Sequence, residues 1–341
     1  MAMRLFVLCA CLASIAGQAG DAADDVAGDV AADATAEADA PAAAARDLPA
    51  GFESSPPGSS VSAGHFHTCA LRYMPGAEFG GAAHCWGMDE FLQVSKAPSD
   101  QFVQISAGHF HTCGITVSET IACWGDGREE LYRPVGLFQQ VSAGGHHSCG
   151  LTKDGEARCW GQDHRSGCTK PPRGRFSQVG AGDGFSCGLR PTGALECWGS
   201  NDRGEAAPPR GRFVQLAIST SSRHGCAVTY ENNDVVCWGE NRKGEAPPRL
   251  AGPLAQVAVG YKTTCVITGD GRHVDCYGSA SRYFNTRDKH AAAAFGPDGR
   301  QWEEVSVGRD HICAVDSEGE LFCMGQPLIT AKDVPKGFVV A

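Results

Sequence analysis

Histidine, cysteine and tryptophan recur in this chain at fixed offsets. These residue types bind metals, form covalent bridges and hold aromatic ligands. Fourteen cysteines form seven spaced pairs: Cys69/Cys85, Cys113/Cys123, Cys149/Cys159, Cys187/Cys197, Cys226/Cys237, Cys265/Cys276 and Cys313/Cys323. Two residues ahead of the first cysteine stands His67, His111, His147, His224 or His311, with Phe185 and Thr263 in the other two copies. Directly after the second cysteine comes Trp86, Trp124, Trp160, Trp198 or Trp238, replaced by Tyr277 and Met324 in the last two. Zinc needs four converging ligands at short cysteine spacings, which a ten-residue bracket across a turn does not offer. Disulfides are the expectation. For Cys149/Cys159 a three-residue loop Lys153-Asp154-Gly155 places the cysteines opposite each other, with Gly155 in the left-handed position. Gly193 and Gly319 do the same in their copies.

His65/His67 and His109/His111 stand at strand spacing, so each pair is expected on one face, where neighbouring copies could supply a metal site. The competing expectation is that the repeated histidine is part of the scaffold, satisfied by backbone groups of its own copy. We expect neither metal nor cofactor, and take the tryptophans as packing residues. There is no paired carboxylate, Ser/His/Asp order or phosphate-cradling glycine loop, so no enzyme is expected. Ser186 merely occupies the repeat frame.

The elements that position these residues follow from the period. The segment opening at Val61, Ile105, Val141, Val179, Leu216, Val257 and Val305 recurs at steps of 44, 36, 38, 37, 41 and 48 residues. That is room for about four short strands, with Gly, Pro and Asp punctuation and no helical periodicity. The expected fold is all-β, a seven-bladed β-propeller with one disulfide per blade. Three residues before the opening position stands Phe102, Phe138, Phe176, Phe213, Leu254 or Trp302, an odd offset that needs a bulge if both are to face inward. The ring must close to protect its edge. The candidates for closing it are the C-terminal strand at 335–341 and Pro49-Ala50-Gly51-Phe52.

Ahead of the propeller, expected over 48–341, an apolar run after Arg4 reads as a secretory signal over 1–20. Leu8-Cys9-Ala10-Cys11 also fits a lipoprotein signal, with a lipid anchor at Cys11. Residues 21–47 are Ala/Asp-rich, with eight acids against one base, and are expected to be a disordered linker. The chain's net charge of −10 therefore leaves about −4 on the folded part, which gives no support for nucleic-acid binding. No later apolar run is long enough to span a bilayer. The expected location is extracellular, or periplasm or cell surface in a bacterium.

The pattern A-G-x-x-H-T/S-C-x-L, then a glycine turn, then C-W-G, resembles the regulator of chromosome condensation repeat family. It is similar above all to the cysteine-bearing secreted form and to crinkly-type receptor ectodomains. The resemblance implies a seven-bladed propeller used for protein binding. The family's founding guanine-nucleotide exchange is not expected outside the cytosol.

Departures from the repeat are the candidate binding loops, because binding concentrates on loops held by a rigid scaffold. These are 73–84 with Tyr73 and Phe79, 162–173 with Arg165 and the odd Cys168, and 279–300 with Tyr283, Phe284 and His290. Cys168 could be a free thiol, a dimer link or a mixed-disulfide partner. Arg173, Arg175, Arg210, Arg212 and Arg249 recur in Pro turns as a basic strip, diluted by Glu205 and Glu245. The expected partner is an unknown protein or surface polymer. A structural or adhesive surface domain and an inhibitor of a secreted enzyme are the alternatives.

Overall fold

Alternating short β-branched runs and glycine turns fold each copy of the repeat around a three-stranded antiparallel unit. The computed structural model describes residues 60–73, 80–126, 134–163, 166–279, 292–295 and 299–325. The signal and linker segments, Cys11, both ring-closing candidates, and Phe79, Arg165, Tyr283, Phe284 and His290 lie outside the described residues. In the third blade the strands are Phe138–Ala143, His147–Thr152 and Ala157–Gly161, and six further blades repeat that order. The sheets of blades one and two join through a short pairing of Gly81 with Phe102 and Ala82 with Gln101. The first strand of each blade touches the first strands of its neighbours, which makes these strands the inner wall of the ring.

Four strands per blade were expected, and here the structure differs. Only the sixth blade has a fourth strand of its own among the described residues, Ala292–Phe295. In the third and fifth blades the outer position is irregular, touched by the isolated bridges Glu156 to Arg175 and Val235 to Leu250. Pro171-Pro172, Pro208-Pro209 and Pro247-Pro248 follow the third strands of blades three, four and five, and proline cannot donate to a ladder.

The odd Phe-to-Val spacing would put the two residues on opposite strand faces without a bulge, and in five blades a bulge intervenes. Register slips between Phe102 and Gln104, Phe138 and Gln140, Phe213 and Gln215, Leu254 and Gln256, and Trp302 and Glu304. Each aromatic or Leu and its following Val, Ile or Leu therefore face the same way, so that Phe138 and Val141 share one core cluster with Trp160.

The cysteines stand directly opposite each other on the second and third strands of each blade. All seven expected bridges form: Cys69–Cys85, Cys113–Cys123, Cys149–Cys159, Cys187–Cys197, Cys226–Cys237, Cys265–Cys276 and Cys313–Cys323. Their Cα–Cα distances are 4.0 to 4.1 Å. The two ends of a bridge are not equivalent. The second-strand cysteine is fully buried in every blade. Its third-strand partner lies further from the ring's interior: Cys123, Cys237, Cys276 and Cys323 are buried, whereas Cys85, Cys159 and Cys197 are half-buried. The loop glycines Gly155, Gly193 and Gly319 take φ values of 83°, 86° and 77°, the left-handed region that the three-residue hairpin requires.

Three side-chain types weld blade to blade. Tryptophan packs on the preceding blade's disulfide hairpin: Trp160 lies against Cys113 and Ile115, and Trp238 against Cys187 and Leu189. Trp86 joins Cys313, Val315 and Leu321, so blade one seals against blade seven. A glutamine carboxamide accepts the opening backbone N–H of the next blade, as Gln104 does from Val141 at 2.8 Å and Gln140 from Val179 at 2.8 Å. At the closing seam Glu304 takes the glutamine's place and receives Ser60 N at 3.1 Å, Val61 N at 3.4 Å and the Ser60 hydroxyl.

Histidine is the third weld, and it corrects the expectation of backbone partners within one blade. His67 Nε2 meets Thr112 Oγ1 at 2.6 Å, His111 meets Ser148 at 2.8 Å and His147 meets Ser186 at 2.7 Å. His224 meets Thr264 at 3.1 Å, and His311 meets Thr68 at 2.6 Å across the closing seam. Where the histidine is missing, so is the next blade's hydroxyl. Phe185 is followed by Gly225, and Thr263 by Ile312. The histidine and hydroxyl form one inter-blade unit that is kept or lost together.

Candidate functional site

The turn between the first and second strand of each blade fixes one end of the ring. Its opening glycine packs so tightly that a Cβ on Gly64 would lie 2.5 Å from the Gly108 carbonyl oxygen, and one on Gly308 only 2.6 Å from that of Gly64. Backbone N–H groups then bridge neighbouring blades, with His65 donating to Gly108 at 3.1 Å and Tyr261 to Gly308 at 3.1 Å.

The two residues after that glycine vary around the ring, with His-Phe shared by blades one and two, and they build the surface of this face. The first of them turns to the axis. His65 and His109 lie 4.5 Å apart between ring centroids, Tyr261 stands 5.6 Å from His65, and Arg309 reaches His65 Nε2 at 3.4 Å. His65 and His109 thus sit in turns and face the axis, whereas His67 and His111 enter the blade seams. The expected same-face pairs do not form. Burial, with repulsion from His109, Arg309 and His311 once its imidazole ring protonates, pushes His65 down to about 3. His109 falls to about 4, again chiefly through burial, with Asp183 opposing the shift. Both are neutral near pH 7. Among the described residues no group of three or more His, Cys, Asp or Glu is placed to hold a metal ion.

The second variable residue spreads outward. Phe66 and Phe110 lie 6.1 Å apart, Phe91 packs at a tilt on Phe110 at 4.7 Å, and His146 lies 5.6 Å from Phe110. Phe91 and Leu92 keep 39% and 42% of their surface, in a turn held by Asp89 accepting from Val94 N at 2.8 Å and Ser95 N at 2.9 Å. Leu92 sits at φ 63°, a left-handed conformation that costs a non-glycine residue about 1 kcal/mol or more.

Beside this aromatic arc, blades three to five enclose a cleft of about 420 Å³ lined by His146, Gln162, Asp183, Ser200, Asp202 and Arg223. Arg223 pairs with Asp202 at 3.2 Å and approaches the buried Glu205 at 3.8 Å. The face is therefore apolar on blades one to three and polar on blades three to five. It can hold a segment presenting an apolar side chain beside polar groups.

The bridged cysteines belong to the scaffold and not to this site. Cys85, Cys123, Cys159, Cys197, Cys237, Cys276 and Cys323, like the partners they bond, line neither the cleft nor the aromatic arc. Of the loop residues expected to bind, Tyr73 ends a strand at the opposite, hairpin end of the ring. Cys168 is a free thiol, one of its three expected roles. It is fully buried, and burial pushes its thiol up to about 11, both of which disfavour attack by or on its sulfur in the folded protein. It holds a scaffold position, since its carbonyl accepts from Trp198 Nε1 at 2.8 Å as the Glu205 carbonyl does from Trp238 at 2.9 Å. Glu205 and Glu245 are also fully buried and do not dilute the arginine strip. Phe66, Phe91, Leu92, Phe110 and Asp183 were not singled out from the sequence. For Phe66, Phe110 and Asp183 the signal was the pair of x positions in A-G-x-x-H, the variable residues inside an otherwise constant frame.

Five segments match the family model for the regulator of chromosome condensation (RCC1) repeat: 102–129, 138–168, 176–205, 216–245 and 302–327. Blade one, with its longer hairpin, and blade six, with Thr263 and Tyr277 in the frame, are the blades without a match. The chain is similar to the ectodomain of the Physcomitrella patens receptor kinase CR4, at 20% identity over 78% of this chain and 72% of that one, with a TM-score of 0.62. It is also similar to the CRINKLY WD40 ectodomain of the Arabidopsis thaliana receptor kinase ACR4, at 22% identity over 80% and 97%, with a TM-score of 0.60. Prp20p from Saccharomyces cerevisiae, solved in work on its binding to Gsp1p and histones, matches at 17% identity over 70% and 74%, with a TM-score of 0.53. At these identities the likeness is one of fold. No curated protein matches by sequence.

Proposed function

From the premise that this chain is built of regulator of chromosome condensation repeats in a disulfide-bonded propeller, we propose that it is a non-catalytic module binding a protein segment through its turn face. The observation that carries this is the arc of Phe66, Phe91, Leu92 and Phe110 beside the cleft at Asp183. Phe91 and Leu92 are exposed and Phe66 and Phe110 half-buried beside them, so the variable turns and the loop between blades one and two present one apolar patch. Aromatic surfaces of this kind supply much of the energy at protein interfaces.

The seven disulfides support a secreted or cell-surface location, reached through the signal at 1–20, with 21–47 as a tether. Ectodomain neighbours of the same fold are in keeping with it. Guanine-nucleotide exchange is not part of the proposal, because that activity belongs to the cytosol and nucleus.

The test is selection of a displayed random peptide library on the folded, oxidised protein. Peptides should emerge whose affinity falls about tenfold or more in Phe91→Ser and Phe110→Ser, the range of interface hot spots. Substitution of Arg173 at the opposite end should leave them unchanged. Selected peptides indifferent to both phenylalanines would refute the assignment of this face.

A further inference from the structure

The arginine strip belongs to the other end of the ring, and the structure makes it continuous. The turn Arg173-Gly174-Arg175 is clamped by Arg190, which donates to the Arg173 carbonyl at 3.0 Å and the Arg175 carbonyl at 3.1 Å. Arg190 itself stacks 3.8 Å over the Phe176 ring and pairs with Glu196. Its hairpin carries the line onward. Gly193 N donates to the Arg190 carbonyl at 2.8 Å, and the Gly193 carbonyl accepts from Phe213 N at 2.8 Å, next to Arg212. Arg212 lies 4.1 Å over Tyr230. Two Arg-Gly-Arg turns are thus held at a set spacing on either side of one hairpin.

Their charge is unmatched. Arg173, Arg175, Arg210 and Arg212 are exposed, and no ion pair to any of them is present among the described residues. Around these turns and the hairpin, five arginines meet Glu196, already engaged by Arg190, with Glu156 opposite Arg175 but paired to Arg158, and with Asp154 and Glu231 on the flanking turns. Arg249, further round, is taken up by Asp234. The remainder of the folded part is slightly acidic, so this is a local excess rather than a general one.

We infer that the Arg173–Arg175 and Arg210–Arg212 turns form a docking strip for a linear acidic polysaccharide, its carboxylate or sulfate groups engaged by the paired guanidiniums. Guanidinium forks bind planar oxyanions bidentately, and clamped turns lose little freedom on binding. The strip lacks what recognition of a peptide would use. Its aromatics, Phe176 and Tyr230, already lie beneath arginines, and the described cleft is at the other end. Charge at a repeated spacing is all it presents, which suits a polymer carrying charge at regular intervals. The strip is independent of the turn-face reading, and either can fail alone.

The test is binding of the folded, oxidised protein to immobilised heparin, polygalacturonate, neutral dextran and poly-glutamate at about 0.15 M salt, where surface charge is screened beyond roughly 8 Å. Retention on heparin or polygalacturonate, with none on dextran, is expected; whichever retains more strongly tells sulfate from carboxylate. The variant Arg173→Ser/Arg175→Ser/Arg210→Ser/Arg212→Ser should bind about tenfold more weakly and elute at lower salt. The control Arg203→Ser/Arg242→Ser/Lys243→Ser/Lys262→Ser removes the same charge on or toward the turn face and should elute as wild type. Equal loss in both variants, or no retention on either acidic polysaccharide, would overturn the inference. So would poly-glutamate binding as tightly as the polysaccharides, which would make the partner an acidic protein.

Discussion

Replacing Glu304 with glutamine should stabilise the propeller at alkaline pH and leave it nearly unchanged at acid pH. In blades two to six this position is a neutral carboxamide: Gln178 accepts Leu216 N at 2.8 Å and Gln256 accepts Val305 N at 2.7 Å. Only the closing seam uses a carboxyl group, and burial pushes it from 4.5 up to about 7, against the opposing pull of Ser60 and Val61. No charged side chain among the described residues contributes to that shift. The folded protein therefore holds this proton to a higher pH than the unfolded chain does. The resulting stability is full below about pH 4.5 and is lost as pH rises through about 7. A displacement of that size corresponds to roughly 3 kcal/mol at pH 8, the cost of ionising the group inside the seam. Glu304→Gln avoids the ionisation and keeps an oxygen for Val61 N, so the variant should melt higher by roughly 2 °C or more per kcal/mol. The assay is thermal unfolding of both proteins, oxidised, at pH 5 and pH 8. The quantity to compare is the variant-minus-wild-type difference at each pH, in which titration of other groups cancels. A difference that is zero or negative at pH 8, or equal at both pH values, would show that the seam already solvates the carboxylate.

The seam histidines act in the opposite direction. His67, His111 and His224 are held down to about 3 and His311 to about 4 by burial, so the unfolded chain binds more protons as pH falls below 6.5. Each should cost roughly 2 kcal/mol at pH 5, and His111→Gln should flatten the pH dependence of denaturant midpoints by about one histidine's share. The Cys168 thiol should resist an aromatic disulfide reagent in the native protein and react fully in denaturant; rapid native labelling would contradict its burial. Cys168→Ala should cost about 1 kcal/mol, since the backbone carbonyl makes the contact with Trp198, and chemical denaturation would measure it. Trp86→Ala removes the aromatic plug between the first and seventh blades and should cost roughly 3 to 5 kcal/mol by the same method.

Repetition is why so much of the scaffold could be read in advance. A residue type seen at one offset in seven copies must satisfy seven local environments at once. Cys149 opposite Cys159 across Lys153-Asp154-Gly155 is a purely local consequence of hairpin length, and the same opposition recurs from Cys69–Cys85 to Cys313–Cys323. The odd spacing between Phe138 and Val141 left two outcomes, opposite strand faces or a bulge, and the slip between Phe138 and Gln140 shows that the chain takes the bulge. The histidine's partner was not legible in this way. Ser148 lies 37 residues from His111, in a different blade, and no pattern within one copy could name it. Only the paired absences, Phe185 with Gly225 and Thr263 with Ile312, carried the information.

The surface was least legible for the opposite reason. Length variation marked 162–173 as a loop for binding, yet Cys168 within it is a buried scaffold residue, because an inserted residue can be absorbed while the carbonyl keeps its place under Trp198. Phe66 and Phe110 come from the first two blades and Phe91 from the loop between them. They meet only because consecutive turns are brought side by side at one end of the ring. Strand pairing, turn type and sulfur bridging are short-range and follow from residue order. The aromatic arc, the cleft and the single carboxyl at the closing seam exist only once the blades are set around a common axis, since each is assembled from residues that are distant along the chain.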